Sequence, residues 1–124
     1  MIARGRGKIV NIASGTVFKG HVGITHYVTS KGAIVALTRC LARELGPHNI
    51  NVNAICPGFF MTKMAEGLIK SMGEKEMAAH APLNRLGDDE DLKGLTLLYA
   101  SEAGKHITGQ WLAVDGGVSA IIGG

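Results

Sequence analysis

Apolar residues in this chain form two alternating patterns, short runs and helical stripes. The runs lie at Lys8 to Ala13, Ile50 to Cys56 and around Trp111 to Val114, and each predicts a buried strand of a parallel sheet. Between the first two runs, spacings of three and four residues predict a helix from about His26 to Leu45. Its buried stripe, predicted to cover the sheet, consists of Ile34, Leu37, Leu41 and Leu45. This order predicts an α/β fold with a right-handed crossover between the first two strands.

The segments that follow the strands are less regular. Gly15 to Gly23 is predicted to be a loop. From about Thr62 to Leu86, scattered methionines and leucines predict one or two short helices, and methionine suits an adaptable ligand pocket or an ordinary core equally well. Asp88 or Asp89 is predicted to cap a further helix, whose buried stripe consists of Leu92, Leu95, Leu98 and Tyr99.

Composition narrows the class of protein. With 124 residues, 46% hydrophobic and 19% charged, the chain is typical of one small globular domain. Its net charge of +3 is spread over scattered lysines and arginines, so no nucleic-acid partner is predicted. The sequence also lacks an apolar run long enough to cross a bilayer and a recognisable signal peptide. No membrane association is expected, and a cytoplasmic location is predicted.

The cysteines and histidines do not suggest a metal site. Cys40 falls on the predicted long helix and Cys56 at the end of a predicted strand, so both are interpreted as small buried apolar residues. A disulfide is not expected in a reducing compartment. The five histidines have no paired spacing with cysteines or carboxylates that is typical of metal ligands. No metal is predicted.

Three polar residues have a spacing that suits proton transfer, namely Ser14, Tyr27 and Lys31. A tyrosine and a lysine four residues apart share one helix face, and a nearby ammonium group favours the ionised phenol. Without such help, tyrosine holds its proton too tightly for acid/base work near neutral pH. Taken singly, each residue also has an ordinary interpretation: Ser14 is a loop hydroxyl, Tyr27 an aromatic residue at a helix start, and Lys31 a solvated charge.

The order of four motifs resembles the short-chain dehydrogenase/reductase family. A tyrosine and a lysine four apart recur by chance in many helices, whereas four ordered motifs on the expected elements are specific. The resemblance covers nearly the whole chain, but it corresponds to the carboxyl-terminal half of a typical member. The matching segments are GKIVNIAS at 7–14, YVTSK at 27–31, NVNAICPG at 51–58, and ITG at 107–109 with VDGG at 114–117.

The resemblance implies half of a Rossmann-like, doubly wound parallel sheet, with about three strands and flanking helices. Residues 1–124 are thus expected to form one partial domain, with 62–86 as a segment that covers the substrate. The amino-terminal, cofactor-binding half is expected to be absent, because no glycine-rich turn follows a strand here. Gly5 and Gly7 precede the first strand and are interpreted as a polar turn.

The resemblance also implies roles for individual residues, with NAD or NADP as cofactor. Tyr27 is expected to be the general acid/base, Lys31 to favour its ionised form and hold the nicotinamide ribose, and Ser14 to donate a hydrogen bond to the substrate oxygen. The nicotinamide is expected to contact Pro57, Gly58, Phe60 and Thr62. Thr62 also has an ordinary reading as a helix cap.

Two functions remain open from the sequence. In the first, a full-length parent transfers hydride between NAD(P) and a carbonyl or secondary alcohol, acts as a homo-oligomer (tetramer or dimer), and loses its activity when cut to these 124 residues. In the second, the chain is a truncated, non-catalytic module that assembles with other subunits. The substrate and the choice between NAD and NADP are left open, because fold resemblance does not identify a ligand.

Overall fold

The structure, a computed structural model, describes residues 1–63 and 65–122. Three strands form one parallel sheet in the order β1 (Gly7–Ile12), β2 (Ile50–Pro57) and β3 (Trp111–Val114). The predicted sheet of three parallel strands is confirmed, with bounds within one residue of those expected from the apolar runs. β2 is the central strand because it pairs with β1 on one side and β3 on the other.

The described residues also form four α-helices, two of which pack on the sheet. α1 (Thr25–Leu45) connects β1 to β2 and packs on β2, and α4 (Lys93–Ala100) packs on β1 and β2. Between β2 and α4 lie α2 (Glu66–Met72) and α3 (Glu74–Ala78), in agreement with the one or two short helices predicted there. Met64, part of the pattern that predicted them, lies outside the described residues. Short 3-10 helices cover Ile2–Arg4, Gly15–Phe18, Gly46–His48, Asp89–Leu92, Glu102–Gly104 and Val118–Ala120.

The predicted buried stripe of α1 is wrong at one position. Leu37 is 49% exposed, whereas its neighbour Thr38 is fully buried and Ala42 is also buried. The Thr38 hydroxyl accepts a hydrogen bond from Asn11 Nδ2 of β1 (3.0 Å) and donates one to the carbonyl of Ile34 (2.8 Å). Because small and polar residues meet β1 here, the helix is rotated away from the all-leucine face.

The same rotation corrects the interpretation of Cys40. It lies three residues after Leu37, on the same side of α1, and it is exposed rather than buried. Cys56, at the end of β2, is fully buried as predicted. The stripe predicted for α4 is correct, since Tyr99 is 3% exposed and Leu92, Leu95 and Leu98 are half-buried.

The strand β2 carries the core. Residues 50–56 are all buried, and Ile50 and Val52 pack with Ala42 of α1 in one apolar cluster. A second cluster joins Met77 and Leu86 to Ala78, Phe59 and Ile69. Met77 is 1% exposed, so this methionine fills an ordinary core.

Two asparagines interrupt the apolar sequence of β2, and the side chain of each forms at least two hydrogen bonds. Asn53 is 1% exposed; its Nδ2 donates to the carbonyl of Ile107 (2.9 Å) and its Oδ1 accepts from the Gln110 backbone N–H (3.1 Å). Asn51 Nδ2 donates to the carbonyls of Ile107 (2.8 Å) and Lys105 (3.0 Å). These side chains attach the segment before β3 to β2, which places β3 in register.

We predict that Asn53→Ala lowers the free energy of unfolding by about 1 to 3 kcal/mol, because the Gln110 N–H loses its partner and the Ile107 carbonyl keeps only the bond from Asn51. Urea denaturation measures the change. Gln110→Ala is the control, because that side chain is exposed and surface changes cost within about 0.5 kcal/mol. Equal effects of the two substitutions would contradict a role for Asn53 in attaching β3.

Candidate active site

The carboxyl ends of the three strands meet at one edge of the sheet, and two glycines permit their close approach. A Cβ at Gly15 would lie 3.2 Å from the carbonyl oxygen of Pro57. A Cβ at Gly58 would lie 2.6 Å from Cβ and 2.9 Å from Cα of Asp115, and the Gly58 N–H donates to the carbonyl of Val114 (3.0 Å). This packing brings the residues after β1, β2 and β3 side by side.

Ser14 lies just after β1 at this edge and is 6% exposed. It caps the 3-10 helix Gly15–Phe18, because its Oγ accepts from the Thr16 backbone N–H (3.2 Å) and shares a hydrogen bond with the Thr16 hydroxyl (2.9 Å). The loop predicted for residues 15–23 is therefore wrong over its first four residues. A capping serine explains the turn.

Tyr27 and Lys31 lie one turn apart near the start of α1. Tyr27 is 40% exposed, and Lys31 Nζ lies 5.8 Å from the centroid of its ring. The same Nζ donates to the carbonyl of Ile12 (3.2 Å), the last residue of β1. Lys31 thus contacts both the Tyr27 ring and the end of the strand that precedes Ser14.

The segment after β2 supplies the remaining predicted residues. Phe60 pairs with Gly87 in an isolated bridge, and a Cβ at Gly87 would lie 2.6 Å from the Phe60 ring. The Phe60 ring therefore packs directly on Gly87. Thr62 is exposed, and its Oγ1 accepts from the Ala65 N–H (3.1 Å). Thr62 caps a turn, as one reading of the sequence allowed, while its O–H remains a donor.

The donors at this edge suit the nicotinamide end of a dinucleotide. The ammonium of Lys31 and the hydroxyls of Tyr27 and Thr62 can bond to ribose and carboxamide oxygens. The sequence contains no G-x-G-x-x-G turn, which in Rossmann-type folds places a pyrophosphate on a helix N-terminus. The residues present therefore fit one end of the cofactor.

Asp115 fixes the turn after β3. Burial raises the pKa of its carboxyl group, but hydrogen bonds from Ser119 and Gly117 outweigh that effect, so the pKa lies below its ordinary value. Oδ1 accepts from the Gly117 N–H (2.9 Å) and Oδ2 from the Ser119 N–H (2.8 Å). Behind it, burial raises the pKa of the Cys56 thiol.

The sequence reasoning missed the residues that support this edge. The Thr16 hydroxyl forms a hydrogen bond with the Ser14 hydroxyl, and the Phe60 ring packs on Gly87. The spacing Ser-x-Thr after a strand was an available signal for the first, because hydroxyl side chains bond locally in turns. Gly87 had no local signal.

Metal binding and membrane crossing find no support in the described part of the chain. Across residues 1–63 and 65–122, no three or more His, Cys, Asp or Glu side chains cluster in a way that could hold a metal ion. No helix within those residues combines the length and apolar character needed to span a membrane.

Comparison with known proteins identifies the family. The family model described as "Enoyl-(Acyl carrier protein) reductase" matches residues 1–119. The chain is 38% identical over 123 residues to the short-chain reductase protein NovJ of Streptomyces niveus, covering 94% of this chain and 47% of that protein. The chain belongs to the short-chain dehydrogenase/reductase family. The resemblance inferred from the four motifs is confirmed.

Other members of the short-chain dehydrogenase/reductase family give the same picture. The 2-dehydro-3-deoxy-D-gluconate 5-dehydrogenase of Dickeya dadantii is 42% identical over 112 residues, covering 90% of this chain and 44% of that protein. A crystal structure of gluconate 5-dehydrogenase from Burkholderia cenocepacia, in complex with NADP and tartrate, superposes with a TM-score of 0.93 and 32% identity. That match covers 98% of this chain and 48% of the other. The chain spans about half the length of these relatives.

We predict that Gly58→Ala lowers the free energy of unfolding by about 1 to 3 kcal/mol, because the new methyl group overlaps the Asp115 backbone. Gly32→Ala is the matched control: it lies within α1 with nothing within 4 Å of the added Cβ, so it should stabilise by about 0.5 to 1 kcal/mol. Thermal unfolding of both variants tests the contact. A neutral Gly58→Ala would contradict the packing of this edge.

Proposed function

We propose that the protein containing this chain is an NAD(P)-dependent oxidoreductase that interconverts a carbonyl and a secondary alcohol. The observation that carries the proposal is the position of Lys31, whose ammonium lies over the Tyr27 ring and bonds to the last carbonyl of β1, two residues before Ser14. A base and a cation on α1, with the cation bonded to the strand end that precedes a hydroxyl donor, suit proton transfer to or from a substrate oxygen.

Tyr27 gives its proton to the carbonyl oxygen during reduction and takes one from the alcohol during oxidation. Lys31 would stabilise the phenolate left behind, because its positive charge close to the ring interacts favourably with the negative charge that develops there. Ser14 donates a hydrogen bond to the same substrate oxygen and so fixes its place relative to Tyr27. The 40% exposure of Tyr27 supports this role, since its phenol is accessible to a substrate.

The cofactor would be NAD or NADP, whose reduced form would supply the hydride to a carbonyl and whose oxidised form would accept it from an alcohol. Solved relatives that hold NADP, such as the Burkholderia cenocepacia enzyme, support this choice. Tyr27, Lys31, Pro57, Gly58 and Thr62 would hold the nicotinamide end, and Phe60 would contribute its backbone. The ring of Phe60 supports the site from beneath by packing on Gly87.

The substrate class is a small molecule with a carbonyl or secondary alcohol. Relatives named for gluconate and for 3-oxoacyl chains are about equally similar, at 42% identity for the sugar-acid enzyme of Dickeya dadantii and 39% for the acyl-carrier-protein reductase of Aquifex aeolicus. Residues 62–86 would cover the substrate. We retain the cytoplasm as the predicted location.

A second candidate function is a non-catalytic module that assembles with other subunits. The observation that favours it is a set of exposed apolar side chains on the described helices and strands. Apolar side chains exposed on α1 and β3, Leu37 (49%) and Leu112 (53%), would form the contact between copies. The same surfaces would serve a dimer or tetramer of the catalytic protein.

We predict that Tyr27→Phe lowers kcat by about two to four orders of magnitude, because the proton donor is removed while the ring stays. The rate is measured as NADPH oxidation with an acetoacetyl thioester and as NADP reduction with D-gluconate. Both assays use the protein that the natural gene encodes, with and without the substitution. Tyr99→Phe is the matched control, since the only other tyrosine is buried in α4. Retained activity in Tyr27→Phe would exclude the proposed mechanism.

We predict that the isolated 13.0 kDa chain is inactive and forms oligomers or precipitates, because edge strands and exposed apolar groups invite pairing. Sedimentation velocity measures the species present. The double change Leu37→Glu and Leu112→Lys should shift the chain towards the monomer, whereas Val22→Glu, at a residue 95% exposed on a loop, should not. A monodisperse wild-type monomer would count against this assembly.

A further inference from the structure

The position of the Ser14 hydroxyl depends on the 3-10 helix that follows it. Its Oγ accepts from the Thr16 N–H and bonds to the Thr16 hydroxyl, while the Ser14 carbonyl accepts from the Val17 N–H (3.2 Å). A shift of this helix therefore moves the partners that orient the Ser14 side chain. The contacts that hold this helix therefore determine the position of the Ser14 hydroxyl.

The far end of this helix is attached to β3, on the other side of β2 from β1. Phe18, its last residue, stacks on Trp111, the first residue of β3, with 4.8 Å between ring centroids and an interplanar angle of 22°. The next residue, Lys19, donates from Nζ to the carbonyl of Ile121. Two consecutive residues thus contact β3 and the segment that follows it, Phe18 by stacking and Lys19 by a hydrogen bond.

The attachment points on the β3 side are themselves fixed. Trp111 pairs with Ala54 of the buried strand β2, and Asp115 bonds to the N–H groups of Gly117 and Ser119 just before Ile121. By contrast, Gly20 and Gly23, which follow Lys19, both have positive φ angles (75° and 85°). The chain beyond Lys19 is a loop with a glycine at each end. The stack of Phe18 on Trp111 therefore anchors this end of the helix.

We propose that Phe18 and Trp111 are positioning residues, which hold the Ser14 hydroxyl in place by anchoring the helix Gly15–Phe18 to β3. Lys19 contributes through its bond to Ile121. The catalytic consequence rests on the proposed function of Ser14, whereas the anchoring itself does not. Stacked aromatic rings prefer such offset arrangements, and Trp111→Phe preserves a stack that Trp111→Leu removes.

Amide hydrogen exchange, measured by NMR on the protein that the natural gene encodes, tests the anchoring directly. In Trp111→Leu, exchange of the Thr16, Val17 and Gly20 amides should accelerate by about ten-fold or more, since local opening governs exchange. In Trp111→Phe it should stay close to that of the wild type. Leu112→Ala, at the next residue of the same strand, is the control and should leave these amides unchanged.

Unchanged exchange at Thr16 in Trp111→Leu, with Val52 of the core still protected, would overturn the proposal. Where Trp111→Leu loses protection throughout β2, Phe18→Leu and Lys19→Met replace it, because both change only the helix side of the contact. The same acceleration is then expected in each, and its absence in both would overturn the anchoring.

A double-mutant cycle on kcat separates positioning from general stability. Trp111→Leu should lower kcat in the wild-type background and have no further effect in Ser14→Ala, because its effect passes through Ser14. An equal fold-loss in both backgrounds would assign Trp111 a structural role only. If Ser14→Ala leaves activity intact, the proposed role of Ser14 fails, and the exchange rates still decide whether the stack anchors the helix.

Discussion

The pairing of β2 on both sides is the constraint on which the rest of the structure depends. Residues 50–56 are all buried, so each polar group there needs a partner, and burial without one costs about 1 to 3 kcal/mol. Asn51 and Asn53 satisfy this requirement by bonding to the segment before β3. The polar residues of the core thereby fix the position of the third strand.

A consequence of parallel pairing is that all three strands end at the same edge. Pro57 ends β2, and the glycines beside it let the chain after β1 and the chain after β3 approach closely. Because α1 starts near the end of β1, its first two turns bring Lys31 back to the carbonyl of Ile12. The site is therefore a product of strand direction and helix placement, as is usual for ligand sites of α/β sheets.

The sequence predicted the parts of the fold that local patterns encode. The apolar runs of the three strands and the capping aspartate at Asp88 were readable, because burial and capping act over a few residues. The exposure of Leu37 was not, since it follows from the distant pairing of Thr38 with Asn11. In the site, the motif residues could be named, but the stack of Phe18 on Trp111 joins separate elements and leaves no periodic signal.

The most direct test is a crystal structure of the natural protein with NADP bound. We predict that the nicotinamide lies at the carboxyl edge of the sheet, with its ribose bonded to Lys31 and its ring against Pro57 and Gly58. The opposite edge carries a cavity of about 730 Å³ lined by Arg4, Arg6, Lys8 and Lys105, among others. NADP bound there, or at any place away from Tyr27, would contradict the assignment of the site.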